Sequence, residues 1–287
     1  MSPEVYLNGE FVPADEARVP VLDRGFLFGD GVYELMPVYG GHAFRLNEHL
    51  ARLARSLAEV SIPNPYAPAR WVQILNELIE RAGAGDLLVY CQVTRGVAPR
   101  DHAFPRGIEP TVFAMTSARP NPSRAQLERG IKAVTREDIR WQRCDIKSIS
   151  LLANVLLRQQ AIDAGAAESL LVRDGYVAEG AASNVFVVID DVIVTPPNSA
   201  SLLPGVTRDL ILELAAANGL PHKEARIREQ ALHGAQEIWI TSSSKEVLSV
   251  TTLDESPVGD GIPGPQWQRI YALYQNYKCE FAARKSA

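Results

Sequence analysis

Apolar residues recur at helical spacing twice in the early part of the chain. After Asn47, which predicts an N-cap, Leu50, Leu53, Ala54, Leu57 and Ala58 follow a period near 3.6. Residues 68–82 repeat the pattern through Trp71, Ile74, Leu75, Leu78 and Ile79. Alternating segments around these helices predict strands: VYLNGEFVP, GVYELMPVYGGHAFRL, DLLVYCQVTRG and PTVFAMTSA. Gly40-Gly41 predicts a hairpin turn, and Pro37 is an unusual residue inside a strand. Strands and helices come in groups and do not strictly alternate, which predicts an α+β fold and not a doubly wound sheet.

Residues 118–127 (ARPNPSRAQL) hold two prolines and no periodicity, so an N-terminal α+β domain over 1–118 and an inter-domain linker over 119–127 are expected. The second domain, 128–287, opens on a strand ending near Trp141 and a helix over about 150–164. A meander follows through ESLLVRDGYVAEG and ASNVFVVIDDVIVTP, turning at Asp174-Gly175 and Asp190-Asp191. A helix after Gly205, strands EIWITSSS and KEVLSVTTLD, and a last helix near 265–283 complete it.

At 287 residues, 46% hydrophobic and 22% charged, the composition is that of a soluble globular protein. A net charge of −5 without a basic cluster argues against a nucleic-acid partner. No apolar run has membrane length, and MSPEVYLNGEF lacks the build of a signal peptide. Cys91, Cys144 and Cys279 lie far apart, which suggests neither a disulfide framework nor a metal site and fits a cytoplasmic protein.

Chemistry concentrates in CDIKSISLLANVLLRQQA (144–161). Lys147 stands where a strand gives way to a helix, a junction that can aim one amine into a cleft. A lysine with its ordinary pKa of roughly 10.4 is protonated and a poor nucleophile, so desolvation or a nearby cation would have to free it. Arg143 lies four residues upstream. A solitary lysine is ordinarily a solvated one; the company this one keeps changes that. Glu179, beside the small residues Gly180, Ala181 and Ala182, offers a carboxylate that a flat ring could approach, although a surface glutamate beside a hairpin reads the same. Gly205-Val206-Thr207 opens a helix whose free N–H groups favour an anion, or is simply a common cap. Ser242 and Ser243 could add hydroxyls, and Arg52 a guanidinium. Amine, carboxylate and anion-binding turn together are what pyridoxal 5′-phosphate requires: Schiff-base lysine, partner for the pyridinium nitrogen and phosphate grip. In QVTRGVAPRDHAFP (92–105), Arg100 and His102 could face one carboxylate or form a solvated charged loop. Gly29-Asp30-Gly31 lacks the third glycine of a dinucleotide fingerprint and predicts only a tight turn before Tyr33.

DRGFLFGDGVYE, NEHLARL, YCQVTRGVAPRDHAFP, EDIRWQRCDIKSISLLANVL, EGAASNVF and GVTRDL, in that order, resemble the fold-type IV pyridoxal-phosphate enzymes, the class IV aminotransferases, and among them most closely the D-amino-acid aminotransferases. The resemblance runs from about Tyr6 to Leu253. It implies two domains with the active site in the cleft between them, and Lys147 as Schiff-base lysine and catalytic base. It implies that Glu179 faces the pyridine nitrogen, that Arg52, Val206, Thr207 and Ser243 hold the phosphate, and that Ser183 and Asn184 line the cofactor; Leu203 and Ser242 are further cofactor-binding candidates. Tyr33, Arg100 and His102 match the family's trap for the substrate carboxylate, the last two supplied by the neighbouring subunit of a homodimer. The implied reaction is ping-pong transamination between D-amino acids, such as D-alanine or D-glutamate, and 2-oxo acids. Alternatives on the scaffold are a branched-chain or (R)-amine transaminase and aminodeoxychorismate lyase. Ala181-Ala182 replaces hydroxyl residues of the closest pattern, and Leu35 and Met36 bear on the side-chain pocket.

Overall fold

The computed structural model describes residues 3–83 and 85–286, and the chain forms two compact units. The first contains β1 (Glu4–Leu7), β2 (Glu10–Pro13), α1 (Arg24–Phe28), β3 (Gly31–Tyr39), β4 (His42–Ala43), α2 (Leu46–Glu59), α3 (Pro68–Ala82), β5 (Leu87–Thr94) and β6 (Thr111–Ala118). Among the described residues its six strands form one antiparallel sheet in the order β2-β1-β6-β5-β3-β4. Alternation along β3 decides what each face carries. Val32, Met36 and Val38 point into a core closed by Leu53 and Leu57 of α2 and by Trp71, Leu75 and Leu78 of α3. Tyr33 and Leu35 take the other face.

Asn47 is not the cap of α2. That helix starts one residue earlier, after Arg45 in the left-handed conformation, and no side chain caps it. The short α1, not anticipated from the sequence, is capped by Asp23, whose carboxylate accepts from Gly25 N. Pro37 is tolerated because its carbonyl accepts from Phe44 N at 2.8 Å on the β4 side. Its missing N–H therefore faces the end of a two-residue strand and interrupts no ladder.

The second unit contains α4 (Arg124–Arg129), β7 (Ile131–Glu137), α5 (Leu152–Asp163), β8 (Glu168–Arg173), β9 (Tyr176–Gly180), β10 (Asn184–Ile189), β11 (Val192–Thr195), α6 (Val206–Ala217), β12 (His222–Glu224), α7 (Glu229–His233), β13 (Glu237–Ser242), β14 (Glu246–Leu253), β15 (Ser256–Pro257) and most of α8 (Pro265–Ser286). Its mixed sheet runs β12-β11-β10-β13-β14-β7-β8-β9, with β15 on β14. Parallel pairing of β7 with β8 and of β11 with β12 is made by the crossovers through α5 and α6. The expected turns are present, with Asp174, Gly175, Asp190 and Asp191 all at positive φ. Residues 124–129, counted in the linker or just beyond it, form a helix closed by a capping box of Ser123 and Gln126. β7 ends at Glu137, short of Trp141; Asp138 N still donates to Val172 O at 2.8 Å, while its side chain binds Arg140 and Arg173.

Ile146–Leu151 packs with the first unit, as does α8 from Cys279 onward. By sequence this lysine-bearing segment falls in the C-terminal domain, 128–287. The edge of β3 beyond the short β4 explains the difference. Tyr33 N donates to Lys147 O at 2.9 Å and Ile149 N to Gly31 O at 3.0 Å, with Ser148 opposite Val32. Six residues thus serve as an extra edge of the first sheet.

Candidate active site

In the first unit, the backbone bonds just described fix where Lys147 stands, and its own N–H donates to the buried Ser56 Oγ of α2 at 3.3 Å. The Nζ lies 4.1 Å from the centroid of the Tyr33 ring, which stacks in turn on Tyr90. Lys147 and Tyr33, nominated separately from the sequence, are thus together.

Arg52 lies on the helix-covered side of the sheet. Its Nε and Nη2 bind the two oxygens of Glu34 at 2.7 and 2.8 Å, and His49 Nδ1 meets Oε2 at 2.8 Å. Glu34 is fully buried. Burial alone would raise its pKa, but the Arg52 charge and the bonds from Arg52 and His49 hold the carboxyl well below the usual range. Burial lowers the pKa of His49 by more than Glu34 raises it, and the charges of Arg52 and Lys147 push the same way. A neutral imidazole donating from Nδ1 to a carboxylate satisfies both groups. Sequence reading missed Glu34 and His49. The signal was there: a glutamate between Val32 and Met36 on a core-facing alternation demands a buried cation, and Arg52 follows His49 by three residues on α2.

The loop after β5 holds the remaining candidates of this unit. Arg100 and His102 are exposed, and both flank the ring of Phe28, at 5.2 and 5.4 Å from its centroid.

In the second unit, Glu179 lies near the end of β9 with its side chain buried. Oε1 accepts from Arg140 Nη1, and Oε2 accepts from Asn184 Nδ2 and Leu203 N, both at 3.1 Å. Arg140 is shared: it also binds Asp138 at 2.8 and 2.9 Å and Ser201 O at 3.1 Å. Burial therefore prevails over this one divided cation and pushes the Glu179 carboxyl up to about 7, while its contacts hold Arg140 firmly protonated. A buried carboxyl in that state has use for a second positive partner. Arg140 was missed because nothing in EDIRWQRC separates it from a surface arginine. Arg143, considered as the cation for Lys147, binds Asp145 at 3.0 and 2.9 Å.

Asn184 joins Glu179 to the anion-binding turn, since its Nδ2 also donates to Leu203 O at 2.8 Å. α6 then starts from Gly205 in an extended conformation with no side chain capping it, followed by buried Val206 and Thr207. Uncapped N–H groups at the start of a twelve-residue helix suit a phosphate. Ser242 Oγ accepts from Lys245 N at 3.1 Å, with Ser243 next in the turn. The Ser183 hydroxyl donates to the buried Glu168 at 2.9 Å, a carboxylate also paired with Lys245 Nζ at 2.7 Å.

Amine, buried carboxyl short of a cation and uncapped helix start are each in a condition to receive pyridoxal phosphate, so the residues fit that group. Among the described residues no cluster of three or more histidine, cysteine, aspartate or glutamate side chains could hold a metal ion, and no helix is long and apolar enough to cross a membrane.

The amino-transferase class IV family model matches residues 31–253. The D-alanine aminotransferase of Bacillus licheniformis is 42% identical over 273 residues, covering 95% of this chain and 96% of its own. The D-alanine aminotransferase of Staphylococcus epidermidis is 38% identical over 275 residues, covering 96% and 97%. Among solved structures, the branched-chain amino acid aminotransferase of Escherichia coli superposes with a TM-score of 0.90 at 26% identity, covering 94% of this chain and 93% of that one. A family match over residues 31–253, with relatives of this identity along nearly the whole chain, makes the chain a member of the class IV aminotransferases.

Proposed function

We propose that this chain is a D-amino-acid:2-oxo-acid aminotransferase that uses pyridoxal 5′-phosphate and works as a homodimer. The observation that carries the reading is the meeting of Arg100 and His102 at one ring, Phe28. A guanidinium and an imidazole side by side offer a single α-carboxylate several N–H donors, one set of them charged, which a transaminase for simple amines has no use for. The extended identity with D-alanine aminotransferases supports the same substrate class.

When bound, the cofactor would supply the electron sink that makes an amino acid's α-proton removable. Lys147 would hold it covalently, and its Nζ would afterwards take the α-proton and return it on the other carbon. Glu179 would hold a proton on the ring nitrogen, acquiring there the second cationic partner it lacks. The N–H groups of Val206 and Thr207, the hydroxyls of Thr207, Ser242 and Ser243, and Arg52 would bind the phosphate. Ser183, Asn184 and Leu203 would line the ring. Tyr33, Arg100 and His102 would take the substrate carboxylate, fixing which face of Cα meets the amine and so which enantiomer reacts.

A second copy of the chain would provide Arg100 and His102. Large apolar side chains left exposed in both units, Phe26 at 75% and Leu152 at 74%, support a subunit partner. Three unpaired cysteines support a cytoplasmic location. The deciding experiment assays the purified protein on paired D- and L-alanine and D- and L-glutamate, with pyruvate and 2-oxoglutarate as acceptors. D-enantiomers should react, and Lys147→Ala should abolish turnover. Equal rates with both hands, or turnover by the alanine variant, would overturn the reading.

A further inference from the structure

The turn before Tyr33 carries more than a change of direction. Asp30, reached through Gly29 in the left-handed conformation, sits between two buried arginines. Arg24 Nε binds its Oδ2 at 2.7 Å, and Arg95 binds Oδ2 and Oδ1 at 2.8 and 2.9 Å. Backbone bonds tie the three together: Arg24 N donates to Gly96 O and Arg95 N to Asp30 O. Arg95 is anchored further by the carbonyls of Val60 and Ser61 behind α2, at 2.8 and 2.9 Å. Burial raises the Asp30 pKa, but the hydrogen bonds and charges of Arg95 and Arg24 outweigh it and keep the carboxyl below its ordinary value.

What this cluster does not spend on Asp30 is directed at the loop of Arg100 and His102. Arg24 Nη1 donates to Asp101 O at 2.5 Å and to Ala103 O at 3.4 Å. Its guanidinium lies 4.8 Å from the centroid of Phe28, the ring shared by Arg100 and His102. Arg95 lies 3.7 Å from the centroid of Phe104. Between Val97 and β6 the loop has no helix or strand of its own, and Asp101 contributes only a 3.2 Å bond to Ala103 N. Both carbonyls that Arg24 holds belong to residues adjoining His102.

We propose that Arg24 is a positioning residue for the substrate carboxylate, its fork holding the Arg100–His102 segment against the fixed base made by Asp30 and Arg95. This rests on the reading of Arg100 and His102 as the carboxylate trap. Nε serves Asp30 and Nη1 serves the loop, so a single-headed cation cannot replace it.

The test uses holoenzyme and two probes that both react with the cofactor aldehyde: aminooxyacetate, which has a carboxylate, and hydroxylamine, which has none. The ratio of their rates, followed by cofactor absorbance, isolates the carboxylate contribution. Arg24→Lys retains a charge for Asp30 and should lower the ratio about tenfold while leaving the hydroxylamine rate within about twofold. Arg24→Ala should show the same fall, partly reversed by methylguanidinium. An unchanged ratio in Arg24→Lys, or equal slowing of both probes, overturns the proposal. Arg100→Ala run alongside separates the two failures. If it lowers the ratio and Arg24→Lys does not, only the positioning role is lost; if it leaves the ratio unchanged, the trap reading falls and the positioning role with it.

Discussion

Glu34 and Glu179 are both buried carboxyls, and their surroundings move them in opposite directions. Glu34 has Arg52 and His49 on its two oxygens and is held low, so its contribution to stability is present above the ordinary glutamate value of 4.5 and lost as pH falls through and below it. Removing one member of such a pair leaves the others buried and uncompensated, so Glu34→Gln should cost about 3 kcal/mol in urea unfolding at pH 7. Glu179 is raised from 4.5 to about 7. Between those values the native state binds the proton that the unfolded chain has released, so the contribution of Glu179 to stability is greatest below 4.5 and declines up to pH 7. Cofactor-free wild type should therefore lose up to about 3 kcal/mol relative to Glu179→Gln across that window, and the difference should shrink once cofactor is bound. Parallel pH profiles for the two apoproteins would remove the basis for a carboxyl awaiting a cation.

Among the elements, α6 is the one on which the proposed phosphate grip rests. A methyl group on Gly205 would overlap Asn184 Oδ1, and the Asn184 amide is bonded to Glu179 and to Leu203 O. Gly205→Ala should therefore disturb carboxylate and helix start together and weaken cofactor binding about tenfold, read from titration of the apoprotein by cofactor absorbance. This coupling was not legible in GVTRDL, where the glycine reads as an ordinary helix start. Periodicity did expose α3 and the strands with clean alternation, because one buried face imposes a repeat. It failed for α1, a five-residue helix built on a side-chain cap, and for residues 138–151, whose course is set by arginine–carboxylate bonds and by the edge of β3. Lys147, Glu179, Thr207, Arg100 and His102 stand as candidates from ordered motifs. Arg140, which binds Glu179, and the buried carboxylates Glu34 and Asp30 emerge only where burial and geometry are known, since a charged residue's letter does not tell which side of a sheet it faces.

For the whole molecule, the proposed exchange of Arg100 and His102 between subunits has a numerical signature. Lys147→Ala and Arg100→Ala homodimers should each be impaired. Mixed at equal amounts and reassembled, half the dimers pair the two variants, and each of these regains one intact site, giving about a quarter of wild-type activity. Activity that stays at the mean of the two parents would argue that each subunit supplies its own trap.

The edge-strand role of Ile146–Leu151 and the docking of α8 beyond Cys279, where Phe281 meets Phe44 at 5.0 Å, bear on the order of biosynthesis. The unit opened by β1 is completed by pieces that leave the ribosome much later. A fragment ending at Arg119 would emerge with its β3 margin bare and its aromatic patch uncovered. Supplying the missing hexapeptide in trans is then a way to ask whether reactive amine and scaffold can be reunited after synthesis.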